Sequence, residues 1–448
     1  MANRIKIKKG LQIPLLGKAE ETLRGTVVSE YVKVCPEDFH GITPRLAVKV
    51  NDTVKAGTAL FFDKDNPEIK FVSPVSGTVT AVERGAKRRI LHVAIKADKE
   101  NQYEDFGKKT VSKLSKDDLK NLLLSSGLWA FIKQRPYDVV ANPAKEPRDI
   151  FVTGFDTAPL APSYNFILQG DEADLQTGFD ALAKLTEGKV YLSISPKTTN
   201  KGLREAKNVV ITEFDGPHPA GNVGVHINHI KPVNSGETVW TINAVNVALI
   251  GRLLNKGIVD MTRVVALTGS EVKEKGFYKM LIGTELASIF RNNVTEGISL
   301  RYISGNVLTG TKIEADGVLR ALDTQITVIP EGDDVHELLG WASLGTKRYS
   351  AGCTYLPTKK KYRLDARMLG GPRAIIVANE YDKVFPMDIF PEQLIKSIIA
   401  FNIDKMEQLG IYEVAPEDFA LCEFVDTSKL ELQRIVRTGL DLLRKEME

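Results

Sequence analysis

The pattern of hydrophobic residues changes at Ser115, and the change divides the chain into two kinds of structure. Before it, residues 1–110 form short runs of alternating or β-branched residues separated by Gly, Pro, Asn or Asp, which is typical of strands joined by turns. After it, Ser115 and Asp118 form a helix-capping pattern, and buried strands alternate with helices. We therefore predict an all-β sandwich in residues 1–110 and a parallel, doubly wound α/β sheet in residues 111–257.

Two further segments follow this sheet. Residues 258–332 return to strand, helix and strand, a pattern that suits a small β-grasp-like module. Residues 333–448 begin with a looser stretch and end with amphipathic helices in residues 391–410 and 428–448. The expected fold class is thus multidomain α/β, with a β-rich beginning and a helical end.

Composition excludes several classes of protein. The chain has 448 residues, 43% hydrophobic and 26% charged, with a formal net charge of +3. That charge is too small to indicate nucleic-acid binding, and no apolar run reaches the roughly 18 residues of a membrane helix. Three cysteines (Cys35, Cys353 and Cys422) lie far apart and form no disulfide framework. We expect a soluble protein of a reducing cytoplasm, whose first residues form a strand and not a signal peptide.

The segments Val48–Phe62 and Phe71–Gly85 resemble the two halves of biotinyl and lipoyl carrier domains. A carrier holds its cofactor on a lysine at a hairpin tip, and Lys64 lies beside the turn-forming sequence Asp-Asn-Pro. However, the loop from Lys64 to Pro74 is longer than in lipoyl domains, and the methionines that flank a biotinyl lysine are absent. We interpret Lys64 as a solvated turn residue on a retained scaffold, with a true carrier as the alternative.

Several motifs resemble the A subunit of the sodium-translocating NADH:quinone oxidoreductase. The most specific is GPHPAGNVGVHINHIKPV, residues 216–233, and the resemblance runs from Arg4 to about Lys429. The others are KIKKGLQIPLLG, FVTGFDTAPLAPS, RVVALTGS and RYISGNVLTG. The family is similar to the C subunit of the Rnf complex and, more distantly, to the flavin-binding subunit of respiratory complex I.

This resemblance implies an order of domains and a setting. The domains would be a biotinyl/lipoyl-like barrel-sandwich domain (1–110), a Rossmann-like domain (111–257), a soluble-ligand-binding β-grasp module (258–332), and a helical domain left from an iron–sulfur domain (333–448). The setting would be the cytoplasmic face of the bacterial inner membrane. There, a six-subunit complex oxidises NADH, reduces ubiquinone or menaquinone, and pumps sodium.

The cofactor motifs of the relatives are altered here. In the complex I relative, a Gly-rich loop that opens with Ser-Gly-Leu holds the flavin phosphate, because glycines let backbone N–H groups approach it. Here Ser126-Gly127-Leu128 is followed by Trp129, Phe131 and Ile132. We therefore predict that this chain binds neither flavin nor NADH in that way.

Iron–sulfur ligands are also missing from the sequence. A four-iron cluster usually needs four thiolates, but the segment LCEFVDTSK supplies Cys422 alone. Where the family pattern has a second cysteine, this chain has Asp426. We predict that Cys422 is a buried thiol in a helical bundle and that the chain holds no redox cofactor.

The segment WAFIKQRPYD interleaves aromatic residues with cations. We expect Trp129 and Phe131 to lie near the surface, with Lys133 and Arg135 as polar anchors. Aromatic walls with a few polar groups suit a quinone head, which is flat and accepts hydrogen bonds at two carbonyls. The same residues would equally suit an interface between subunits, where Trp, Tyr and Arg are enriched.

Three histidines complete the set of candidate quinone-binding residues: His218, His226 and His229. The flanking sequence VGVHINHI alternates as a strand would, which would place His226 and His229 on opposite faces and disfavours a metal site. An imidazole can instead donate a hydrogen bond to a carbonyl oxygen. That carbonyl could belong to a quinone or to the protein's own backbone.

The leading hypothesis is a peripheral subunit that contributes to quinone binding and assembly, while its partners carry the redox cofactors. The alternatives are an autonomous flavoprotein and a purely structural docking subunit. The isolated chain is not expected to be catalytic. We expect the carrier-like β segment and the basic stretch Lys359–Arg363 to contribute to docking.

Overall fold

The computed structural model describes residues 3–333, 349–351 and 361–447. The strands are β1 (Asn3–Lys6), β2 (Leu23–Thr26), β3 (Tyr31–Val34), β4 (Pro44–Leu46), β5 (Thr53–Val54), β6 (Ala59–Asp63), β7 (Lys70–Val72), β8 (Gly77–Arg84), β9 (Ile90–Ala97), β10 (Lys133–Arg135), β11 (Val139–Val140), β12 (Ile150–Thr153), β13 (Val190–Ile194), β14 (Val210–Asp215), β15 (Val239–Asn243), β16 (Thr262–Thr268), β17 (Gly276–Leu281), β18 (Leu300–Ser304), β19 (Thr311–Ile313) and β20 (Gln325–Pro330).

The helices are α1 (Lys116–Ser125), α2 (Tyr164–Ile167), α3 (Glu172–Leu185), α4 (Lys201–Arg204), α5 (Val223–Ile230), α6 (Ala244–Lys256), α7 (Ala287–Phe290), α8 (Pro391–Ile399), α9 (Ile403–Gln408), α10 (Ala420–Val425) and α11 (Leu432–Met447). A short 3-10 helix, Leu128–Phe131, links α1 to β10, and another, Pro416–Phe419, precedes α10.

The α/β domain is built on a sheet with the order β1-β14-β13-β12-β15-β10-β11. The five strands β1, β14, β13, β12 and β15 pair in parallel, as expected for a parallel sheet. Strands β10 and β11 add an antiparallel edge. Local sequence explains its helices: Ser115 and Asp118 form the predicted capping box of α1, and the Asn243 side chain caps α6 at Val245. Gly257, with φ +76°, ends α6 in the left-handed conformation that glycine favours.

The N-terminal sandwich pairs the sheet β3-β9-β8-β5 with the sheet β4-β6-β7. Its core includes the stacked rings of Phe61 and Phe71, whose centroids lie 4.8 Å apart. Phe39 contacts Phe71 at 4.7 Å and also Phe131 of the α/β domain at 6.0 Å. The aromatic core of the sandwich is therefore continuous with the core of the next domain.

The first two strands lie outside the sandwich, contrary to the expectation that residues 1–110 form one β unit. β1 pairs in parallel with β14, and β2 pairs in parallel with β17. The alternating pattern of these segments indicated strands correctly, but a strand's pattern does not specify its partner. A fragment beginning at residue 111 would therefore lack β1, an edge strand of the sheet that contains β14, and β2, an edge strand of the sheet that contains β17.

The third domain is built on the sheet β19-β18-β20-β16-β17-β2, with α7 packed on it. The C-terminal region packs α11 against α8, and its core includes Leu394, Ile398, Val436 and Leu440. The segment 391–410 forms two helices, because Phe401 has a φ of +52° and Asn402 caps α9 at Lys405.

Among the described residues, no helix is both long enough and apolar enough to cross a membrane. Cys353 and Lys359–Lys360, part of the basic stretch, lie outside the described residues.

Candidate functional site

A cavity lies where the order of the parallel strands reverses. Strands β13 and β14 follow β12 to one side, whereas β15 lies on the other. In open α/β sheets, ligands bind beyond the carboxyl ends of the strands at such a switch point. Here the cavity has a volume of about 210 Å³. Its lining comes from three domains: Phe131, Lys133, Asp138, Thr153, Phe155, Asp156, Ala158, Tyr164, His218, Gly221, Asn222, Val223, Thr241, Ile242, Asn243, Asn246, Asn306, Thr309, Leu322 and Glu417.

His218 is the most distinctive side chain in this lining, because it is 4% exposed and its Nε2 has no hydrogen-bond partner among the described residues. The Thr157 hydroxyl lies 3.2 Å from Nδ1 and accepts a hydrogen bond from the N–H of Gly221. Because Gly221 uses one lone pair of that hydroxyl, its proton is free to donate to Nδ1, and this arrangement leaves the ring proton on Nε2. Burial lowers the pKa of His218 to about 4, so the ring is neutral at pH 7. In this tautomer, His218 offers an unused N–H donor at Nε2.

Charged residues form another part of the lining. The ammonium of Lys133 lies 3.5 Å from the carboxylate of Asp138. Burial opposes ionisation of Asp138, but the nearby cations, Lys133 foremost, outweigh it and lower the pKa of this carboxyl. Burial, with the neighbouring Asp418, raises the pKa of Glu417 to about 7. The cavity thus holds a cation, a stable carboxylate and a carboxyl that titrates near neutral pH.

The sequence-based prediction missed residues at the carboxyl ends of β12 and β15. Burial raises the pKa of the Asp156 carboxyl, which accepts a hydrogen bond from the N–H of Ala158 at 2.8 Å. The amide of Asn243 donates to the hydroxyl of Tyr164. Asp156 and Asn243 lie at the ends of predicted strands, and this position could have indicated that they line a cavity. The order of those strands, which brings the two ends together, was not readable from the sequence.

Trp129 and Phe131 are core residues, so the expectation that they lie near the surface is wrong. Trp129 is fully buried, its Nε1 donates to the carbonyl of Ala141 at 2.8 Å, and its ring meets that of Trp240 edge-on at 5.0 Å. Phe131 is 3% exposed and also lines the cavity. Neighbouring charges suggested exposure, but the 3-10 helix turns these aromatic rings inward between the sandwich and the sheet.

Arg135 is also buried, and it connects β10 to the C-terminal region. Its guanidinium donates to the carbonyl of Glu413 at 2.7 Å and to the carboxylate of Asp418 at 3.1 Å. A further contact reaches Glu417 at 3.3 Å. Arg135 does not line the cavity, so its visible role is to join two domains through buried charges.

The segment containing His226 and His229 is the helix α5, so the prediction of a strand is wrong. An eight-residue segment that is mostly apolar cannot be assigned by period alone, because a buried helix and a strand read alike. His226 is fully buried between the rings of Phe155 and Phe214, and its Nε2 donates to the carbonyl of Ala220. His229 is exposed, and its Nδ1 donates to Val225 within the same helix. Neither histidine lines the cavity.

Burial of His226 predicts a pH-dependent stability. Burial lowers its pKa to about 3 in the folded protein, whereas the unfolded chain takes up this proton near pH 6.5. The contribution of neutral His226 to the free energy of unfolding is therefore fully present above about pH 6.5 and is lost as the pH falls toward 3. Between pH 7 and pH 5 the loss from this residue is about 2 kcal/mol.

The measurement is urea denaturation at pH 7 and pH 5 of the wild type and of His226→Gln. The variant should lose about 2 kcal/mol less than the wild type between these pH values. His229→Gln, on the same helix but exposed, is the control and should keep most of the wild-type difference. An identical pH dependence in His226→Gln and the wild type would contradict the assignment.

The altered cofactor segments have structural roles. Leu128–Phe131 is buried along its length, and a Cβ on Gly127 would lie 2.9 Å from the Val72 side chain. Cys422 is fully buried, and burial raises the pKa of its thiol well above the ordinary value.

Asp426 is 1% exposed and holds the chain where α10 ends. Its carboxylate accepts hydrogen bonds from the hydroxyl of Tyr381 at 2.9 Å and from the N–H groups of Ser428 and Leu430 at 2.9 and 2.8 Å. Among the described residues, no group of three or more His, Cys, Asp or Glu side chains is arranged to hold a metal ion. The expectation that the chain holds no flavin or cluster stays a prediction.

Each of the first three domains matches a model of a known protein family. Residues 5–98 match the NqrA N-terminal barrel-sandwich hybrid domain, residues 114–259 the NqrA second alpha/beta domain, and residues 264–315 the NQRA C-terminal domain, of the SLBB type. A likeness to a crystal structure of NAD+-reducing [NiFe]-hydrogenase has a TM-score of 0.30 and 14% identity over 43% of this chain and 41% of that one, too low to support an argument.

Curated relatives match over the whole chain. They include the A subunits of the Na(+)-translocating NADH-quinone reductases of Pasteurella multocida (strain Pm70), 37% identical, and of Histophilus somni (strain 129Pt), 36% identical. Each match covers 99% of this chain and 100% of the relative. The fold is thus that of a multidomain α/β protein with a barrel-sandwich domain, a second α/β domain and an SLBB domain. The chain belongs to the NqrA family, the A subunits of the Na(+)-translocating NADH-quinone reductase, as the sequence motifs predicted.

Proposed function

We propose that this chain is the peripheral subunit on the cytoplasmic face of a six-subunit sodium-pumping NADH:quinone reductase, and that its switch-point cavity binds the quinone head. Its partners in the complex carry the redox cofactors, and this chain holds neither flavin nor an iron–sulfur cluster. Family membership supports the assignment to the complex, since the relatives are named as the A subunit of the reductase.

The observation that carries the quinone proposal is the unpartnered Nε2 of His218. A buried donor without a partner is unfavourable, and a quinone carbonyl would accept its hydrogen bond. A neutral imidazole suits this role better than a cation, because the quinone is uncharged. Lys133 supplies a second donor in the same lining, and Phe131 supplies an apolar wall for the ring. Of the seven residues predicted from the sequence, these three line the cavity.

We also propose a fold type for each of the first three domains. The α/β domain is Rossmann-like, the SLBB domain is a β-grasp module, and the biotinyl/lipoyl-like sandwich is a docking scaffold that carries no cofactor. The backbone N–H of Lys64 donates to the carbonyl of Thr43, and the Asp63 carboxylate holds the turn through the N–H of Asn66. This geometry is consistent with an ordinary hairpin turn.

Replacing His218 should weaken the use of quinone by the assembled complex. His218→Phe keeps a ring but removes the donor, so the KM for quinone should rise about tenfold, the value of one lost hydrogen bond of roughly 1–1.5 kcal/mol. The measurement is NADH-dependent quinone reduction in purified complex. NADH oxidation with an artificial electron acceptor, which does not need the quinone site, should remain at the wild-type rate.

The matched control is His229→Phe, which makes the same change at an exposed site away from the cavity. It should leave the KM for quinone unchanged. An unchanged KM in His218→Phe would favour the alternative of a purely structural docking subunit. Flavin absorbance in the purified chain would favour the third hypothesis, an autonomous flavoprotein.

A further inference from the structure

A second, larger crevice lies beyond the carboxyl ends of β12, β13 and β14, with a volume of about 700 Å³. It adjoins the switch-point cavity and shares Phe155, Asp156 and Tyr164 with it. We propose that this crevice binds a phosphate-bearing small molecule, held by Lys18, Lys197 and Lys361. The proposal is independent of quinone binding.

The three lysines give the crevice an uncompensated positive charge. No carboxylate within the described part of the chain lies at ion-pair distance from Lys18, Lys197 or Lys361, although all three line the crevice. The two acids in the lining do little to offset this charge. Asp215 is paired with Arg4 at 2.6 Å, and burial raises the pKa of the Asp156 carboxyl, which opposes its negative charge. A concave surface with unpaired cations attracts anions.

The backbones of these lysines are held in place. Next to Lys361, Tyr362 exchanges backbone hydrogen bonds with Pro14 and Leu16, at 2.7 and 2.9 Å. The carbonyl of Lys197 accepts from the side chain of Asn165, and its N–H donates to the Ser195 hydroxyl.

Lys18 follows Gly17, whose carbonyl accepts from the N–H of Gly269. Gly17 has a φ of +107°, and a Cβ there would lie 2.1 Å from the Gly269 backbone. The three cations therefore come from three anchored segments around one opening. Because their backbones are already ordered, binding a ligand costs less backbone conformational entropy.

The lining defines the class of ligand. The hydroxyls of Ser163 and Ser195 add donors to the three ammonium groups, and ammonium groups bind phosphate as point charges. Pro14, Leu160 and Pro162 form an apolar wall suited to the less polar body of such a molecule. The volume lies in the range of roughly 300–1,000 Å³ that holds small ligands. A diphosphate group, free or on a nucleoside, has the charge to match three lysines.

The test is calorimetric titration of the full-length chain with inorganic pyrophosphate and with ADP, at low and at high salt. We expect saturable binding that weakens as salt rises, because the contacts are ionic. The triple variant Lys18→Gln, Lys197→Gln, Lys361→Gln should bind about tenfold more weakly or worse. Tighter binding of ADP than of pyrophosphate would assign a nucleotide, and equal binding would assign the free anion.

A control triple variant removes three exposed lysines outside the crevice: Lys99→Gln, Lys201→Gln and Lys405→Gln. It has the same net charge as the test variant and should bind as the wild type does. Matching melting temperatures of the two variants would show that both are folded. The proposal is overturned if neither probe binds saturably, if the test variant binds as tightly as the wild type, or if both triple variants lose binding equally.

Discussion

Replacement of Trp129 by alanine is expected to lower the free energy of unfolding by about 3–5 kcal/mol, because it leaves a large cavity in the core. Trp129 is fully buried, and the change would also remove its edge-on contact with Trp240. The carbonyl of Ala141 would lose its hydrogen bond from the indole. The measurement is urea denaturation of the isolated chain, followed by circular dichroism.

Two comparisons make this prediction specific. Trp129→Phe keeps most of the buried area and should cost clearly less than Trp129→Ala. Ile376→Ala removes a large side chain that is 83% exposed and should change the stability by about 0.5 kcal/mol or less. If Trp129→Ala were as stable as the wild type, Trp129 would lie outside the core, and its assignment as a ligand-facing or partner-facing residue would have to be restored.

Replacement of Arg135 by alanine is expected to lower the free energy of unfolding by about 3–5 kcal/mol, because it leaves the buried carboxylate of Asp418 without its cation. The guanidinium is fully buried against Asp418, which is 2% exposed, and also contacts Glu417. These contacts join β10 to the 3-10 helix Pro416–Phe419, so the C-terminal region should also become more accessible to protease. The measurements are urea denaturation and limited proteolysis.

The control for Arg135 is an exposed ion pair. Arg4 contacts Asp215 at 2.6 Å, but both side chains are largely open to water. Arg4→Ala should therefore cost about 0–1 kcal/mol. Equal losses in Arg135→Ala and Arg4→Ala would mean that the buried network does not hold the two domains together.

The sequence predicted elements well where the pattern was long and the caps were explicit. The helix α3 and the capped helix α1 were found, and the domain order agreed with the motifs. The strand pattern of β1 was correct too, but its partner, β14, lies about 200 residues away in sequence. Pairing over that distance depends on the whole fold, so it cannot be read from local alternation.

The candidate site was predicted only in part, for two physical reasons. The cavity depends on the strand order around β12, which brings Lys133 and His218 together from distant segments. Burial depends on the direction of each side chain, and a 3-10 helix directs Trp129 inward although charges flank it. His218 was found because of its residue type, but its unpartnered Nε2 is a property of the folded chain alone.

The most direct test of the central claim, that the switch-point cavity binds a quinone through His218, is calorimetric titration of the isolated chain with a short-chain, water-soluble ubiquinone. We predict saturable binding near one equivalent, at least about tenfold weaker in His218→Phe and unchanged in His229→Phe. Circular dichroism of both variants would establish that they are folded. Absence of saturable binding, or equal affinity in the wild type and His218→Phe, would contradict it.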